Sequence, residues 1–181
     1  MSLNLAHMPA PFQAPRRNCN DDFDRYFAEF FHSYVTAALW SSNDGSTDCG
    51  GEPLDENYGV GDIEEETLIQ MAEECFEFLA TAETVHNRKL TCFHVIKRAY
   101  HLDAFEPGLS GDNNAWSQAG YDFWMTRNGH GVGFWEDEWT SALDPFRRLE
   151  RAARKFVEFD LMVNDLELPL EDRTVYGFPL K

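Results

Sequence analysis

Six aromatic side chains, Phe23, Tyr26, Phe27, Phe30, Phe31 and Tyr34, recur at helical intervals and run on into Ala37 and Ala38. That spacing gathers them on one face of a helix ending near Trp40, with Asp21 and Asp22 as cap residues at its start. A stripe this aromatic must be covered by the rest of the chain. With 181 residues there is enough chain to build a core around it. We read residues 21–181 as a single α+β domain, and residues 1–20, which hold prolines and Arg16-Arg17, as a flexible N-terminal arm.

Asp62 followed by Glu65 marks the start of a second helix, whose buried face is Leu68, Ile69, Ala72, Cys75, Phe76 and Leu79. Residues 88–101 read as a third helix. Asp144-Pro145 opens a last one to about Glu158, burying Phe146, Leu149, Ala153, Phe156 and Val157. DLMVNDLELPL then reads as strand, turn and strand. In DFWMTRNGHGVGFW, residues 122–135, Asn128-Gly129 fits a two-residue type I′ turn. In that register Tyr121, Phe123, Met125, Val132 and Phe134 share one face. The expected fold is therefore α+β, three to four helices packed on a small antiparallel sheet with a central β-hairpin at about 120–136.

Charge divides the chain unevenly. From Asn20 to Val85 there are 17 acids and one base, Arg25, and the net charge of the whole is −17. Such a field repels nucleic acid and anionic lipid and attracts basic surfaces. We expect no direct nucleic-acid binding and no membrane role, and no apolar run reaches the roughly 18–20 residues of a membrane span. No apolar block with a cleavage site stands at the N-terminus, and the four cysteines are scattered, so the expected compartment is the cytoplasm.

Three sets of residues are candidates for function. The first is an acidic protein-binding face of Asp44, Asp48, Glu52, Asp55, Glu64, Glu65, Glu66, Glu73, Glu74 and Glu77. Like charges one helical turn apart repel, so stability alone does not favour this concentration. The second is an alternative ligand site at the hairpin tip, made of Asp122, Trp124, Arg127, Asn128, His130 and Trp135. There His130 could serve as a general base or metal ligand beside Arg127, although a turn histidine accounts for it more simply. The third is a basic stripe, Arg147, Arg151 and Arg154, suited to self-association as a homodimer or to pairing with the chain's own acids. No metal and no cofactor is expected. The oxygen-rich loop from Asp44 to Asp55 departs from a calcium-binding pattern, since Cys49 stands where glycine is required. No phosphate-binding, zinc-protease or serine-hydrolase motif is present.

ALWSS at 38–42, GEPLDENY at 51–58 and GYDFWMTRNGHGVGFWED at 120–137 together resemble a group of small uncharacterised proteins encoded by bacteriophages and related mobile elements. The resemblance spans about residues 34–80 and 118–165 and implies a setting, accessory phage genes acting inside a bacterial host, without any activity. In that setting the expected partner is a host nucleic-acid-binding protein of defence or repair. The acidic face would occupy that protein's basic site as a DNA mimic and inhibit it.

Overall fold

The computed structural model describes residues 21–45, 51–85, 88–101, 114–135, 145–164 and 166–180. The expected N-terminal arm and Asp48 lie outside them. The class is α+β. In chain order the elements are α1 (Asp21–Ser41), α2 (Glu65–Ala80), β1 (Ala82–Val85), β2 (Arg88–Thr91), α3 (Cys92–His101), α4 (Ala115–Arg127), α5 (Pro145–Ala153), β3 (Phe159–Val163) and β4 (Val175–Pro179). Two antiparallel pairs, β1–β2 and β3–β4, form separate two-stranded sheets. Among the described residues no helix is long and apolar enough to cross a membrane.

α1 is the helix that its aromatic spacing predicts, with Tyr26, Phe27, Phe30, Phe31, Tyr34, Ala37 and Ala38 all buried. What covers it is α4, and here the expected hairpin is overturned. Residues 115–127 are helical, and eleven of the thirteen are buried. Asn114 caps the helix: its Oδ1 accepts from Trp116 N at 2.8 Å and Ser117 N at 3.2 Å, while Ser117 Oγ accepts from Asn114 N at 3.0 Å. Asn128-Gly129 ends the helix instead of turning a hairpin. Gly129 takes φ 67°, and His130 N–H donates to Met125 C=O at 3.1 Å, the closing bond of a Schellman cap. A type I′ turn and this cap both need a left-handed residue, which is why one dipeptide serves either.

Gly120 lies where α4 meets α1, and a Cβ there would collide with the Phe30 carbonyl oxygen. Glycine thus lets the two helix backbones touch, and the large rings close around the contact. Phe78 of α2 stacks on Phe123 at 4.1 Å between centroids, and Tyr26 stacks on Trp116 at 4.6 Å. Past the cap, residues 129–135 fold back on α4, where Phe134 is buried and its N–H donates to Thr126 Oγ1.

Other boundaries shift for local reasons. α2 begins at Glu65, but the Asp62 carboxylate accepts from Gly59 N at 2.7 Å and closes a short 3₁₀ turn at Val60–Asp62, so it does not cap the helix. Phe76, expected in the core, is exposed. Residues 88–91 form β2, paired with β1 in the register Ala82↔Thr91, and the third helix starts only at Cys92 with Thr91 Oγ1 accepting from His94 N. α5 stops at Ala153, short of Glu158, and Val157 is exposed. Of the strand, turn and strand expected within DLMVNDLELPL, the first is β3, but the second does not form. Pro169 leads into a 3₁₀ turn at Leu170–Asp172, and the partner of β3 is β4, paired from Phe159↔Pro179 to Val163↔Val175.

Candidate functional site

Arg127 is the last residue of α4, and its side chain is 0% exposed. It donates to Tyr34 Oη on α1 at 2.6 Å, to Glu74 Oε2 on α2 at 2.5 Å, and through Nε and Nη2 to the Val157 carbonyl beyond α5. The rings of Phe123, Phe156 and Phe159 lie within 5.8 Å of the guanidinium carbon. Burial opposes its charge, but Tyr34 and Glu74 outweigh that and hold its pKa above the ordinary value. Burial likewise pushes the Tyr34 phenol and the neighbouring Cys75 thiol well up. These three groups keep their protons through the neutral range. The cluster ties three helices and the α5–β3 connection together.

The other residues of the alternative ligand site do not converge with it on a surface. Asp122 is buried and accepts from Gln118 Nε2 at 2.9 Å. Trp124 is buried, its indole N–H donating to Ser41 Oγ at 2.7 Å. Asn128 ends the helix, and its Oδ1 accepts from Phe159 N at 2.8 Å, anchoring the start of β3. His130 is exposed on the loop, and half-buried Trp135 lies under Arg154 at 5.3 Å. With the hairpin gone there is no tip for these residues to share.

The acidic set separates into different environments. Glu66, Glu73, Glu74 and Glu77 line a shallow groove along α2 together with Ile69 and Gln70. Glu65, Glu66, Glu73 and Glu77 are exposed and make no ion pair among the described residues. Glu74 is 19% exposed and directs one oxygen inward to Arg127 and the other toward Gln70. Glu64 is half-buried, its Oε1 accepting from Thr174 Oγ1. Glu52 and Asp55 are exposed at the start of the segment after residue 50, whereas Asp44 is 2% exposed.

The basic stripe is engaged within the molecule. Arg151 pairs with Glu83 of β1 at 2.8 Å and Arg154 with Glu150 at 2.9 Å, while Arg147 is exposed. The hydrogen bond from Arg151, with Lys155 and Arg148 nearby, holds the Glu83 carboxyl below its usual range. Glu83 went unremarked in the sequence because the β1–β2 hairpin that presents it has only four-residue strands. Tyr34, expected only as one ring of the aromatic stripe, gave no sign of its bond to Arg127. Compared with protein-family models, curated proteins and solved structures, the chain matches none.

Proposed function

We propose that this is a non-enzymatic acidic interaction protein, encoded by a bacteriophage or related element, that binds and inhibits a host nucleic-acid-binding protein of defence or repair. The observation that carries the reading is the exposed, unpaired row of Glu66, Glu73 and Glu77 on one face of α2. Helical rise sets Glu73 and Glu77 about 6 Å apart along the axis, and Glu66 and Glu73 about 10.5 Å apart. DNA carries a phosphate about every 3.4 Å of axis on each strand, so these intervals are close to two and three phosphate steps. A basic groove that releases counterions onto DNA would do the same onto this row. The chain's compensated bases and its acid-rich first half favour a basic partner over nucleic acid itself.

The test is capture of partners from bacterial lysate, eluted by rising salt, followed by competition of the captured protein against duplex DNA. The reading expects sharp release by salt, loss of DNA binding on addition of this protein, and loss of both effects in the triple Glu66→Gln, Glu73→Gln, Glu77→Gln variant. Partners that the triple variant captures equally well would overturn it. Glu74 must stay native in that experiment, because its carboxylate balances Arg127.

A further inference from the structure

The two outer edges of the β3–β4 hairpin are finished differently. Leu180 N–H donates to Glu158 C=O and Asn164 N–H to Thr174 C=O, so the even-numbered residues of β3 face β4. The amides and carbonyls of Phe159, Leu161 and Val163 therefore face away. On β4 the outer edge is closed: Val175 C=O accepts from Glu64 N–H at 2.8 Å, and Gly177 N–H donates to Thr67 Oγ1 at 3.0 Å. On β3 the Phe159 amide donates to Asn128 Oδ1 and the Leu161 amide to Asp160 Oδ1. The Val163 amide has no acceptor among the described residues. This open end borders a cleft of about 380 Å³ between β3 and residues 41–45. Met162, 44% exposed, and Leu166, 48% exposed, line the cleft together with half-buried Asp160 and buried Asp44, with no basic residue among the lining.

The geometry points to a second docking surface, in which the open edge of β3 takes an extended basic and apolar peptide segment of a partner protein as an added strand. Pairing with the Leu161 carbonyl and the Val163 amide and carbonyl supplies main-chain hydrogen bonds, and alternate side chains supply selectivity. Met162 and Leu166 receive an apolar side chain, and Asp160 receives a lysine or arginine. A second copy of this chain is the poorer occupant, because two chains of net charge −17 repel. The inference does not depend on the role proposed for α2.

The test is an amide-resolved NMR titration of the full chain with a capped hexapeptide alternating lysine and valine. A control peptide, N-methylated at alternate residues, keeps the charge but cannot pair as a strand. The expected result is shift changes at residues 160–163 and 42–45, with the methylated peptide roughly tenfold weaker, as for loss of a main-chain hydrogen bond. Val163→Pro removes the outward amide without removing a bond to β4 and should weaken binding by a similar factor. The α2 triple variant should bind at β3 as well as the native chain. Equal binding of both peptides, shifts confined to α2, or an unaffected Val163→Pro protein would overturn the proposal. Should Val163→Pro fail to fold, Asp160→Lys takes its place, with the same loss expected and undiminished binding counting against the proposal.

Discussion

Replacing Glu74 by glutamine keeps the shape of the side chain and removes its charge, leaving Arg127 as a cation with no exposed side-chain surface inside three aromatic rings. At an effective dielectric near 20, unit charges about 4 Å apart attract by about 4 kcal/mol. Breaking a buried pair by removing one partner costs about 3–5 kcal/mol. The partial exposure of Glu74 and the surviving bonds to Tyr34 and Val157 place Glu74→Gln near the lower end, about 3 kcal/mol. For a chain of this size each kcal/mol lowers Tm by about 2–4 °C, so the melting temperature should fall by about 6–12 °C. Glu74→Lys sets a second cation beside the first and should cost more, a large part of an ordinary stability of about 5–15 kcal/mol. The control is Glu73→Gln, one position away and exposed, which should change stability by no more than about 0.5 kcal/mol. Thermal and urea melts followed by circular dichroism measure all three. If Glu74→Gln and Glu73→Gln melt within about 1 kcal/mol of each other, the carboxylate is not what balances Arg127, and the account of the cluster fails.

Gly120→Ala separates two opposed effects: helix propensity alone would stabilise by about 1 kcal/mol, whereas the collision with the Phe30 carbonyl should destabilise by about 3 kcal/mol or more. The sign of the Tm change decides between them. Gly129→Ala, with open space around its Cβ, should cost only the left-handed backbone, about 1 kcal/mol, and Gly133→Ala should cost more because Thr126 Oγ1 fills the site. Burial pushes the Cys92 thiol up to about 12 and raises Cys75 as well, so native protein at pH 8 should resist alkylation at both, with labelling rising only on unfolding, as read by peptide mass spectrometry. Because the Glu83 carboxyl is depressed in the folded state, its stabilising contribution is present above its unfolded pKa of about 4.3 and lost as pH falls through the lower folded value. Glu83→Gln should flatten that acid limb slightly, and high salt should erase the difference, since the pair is exposed.

α1 was legible because one of its faces is aromatic and the other polar, so its period is visible in the residues alone. α4 is buried nearly all round and has no such contrast. Its runs of large and small residues mimic strand alternation, and Asn128-Gly129 satisfies the geometry of a turn as well as that of a cap. β3 could be read from its apolar run, but its partner could not: the alternation of LELPL mimics a strand, while Pro169 opens a 3₁₀ turn there and the pairing strand comes later, at Val175–Pro179. β1–β2 could not, because four-residue strands next to a helix-like stretch carry too little pattern. Of the candidate site, the exposed face of α2 followed from helical spacing of glutamates. That Glu74 turns inward did not, since its partner lies on α4 and only the packing of the two helices brings them together.

The contact between α1 and α4 sets a timetable for the nascent chain. Tyr34 and Arg127 are joined across 93 residues. At a synthesis rate of about 5–20 residues per second, the aromatic face of α1 waits about 5–20 s on the ribosome before α4 can dock against it. Until then its six rings have only α2 and α3 for company, and α4, which ends up buried on nearly every side, brings Trp116, Phe123 and Trp124 that need the same cover. Production of the folded protein should therefore depend on chaperone capacity and on slow translation at low temperature more than its acidic composition would suggest.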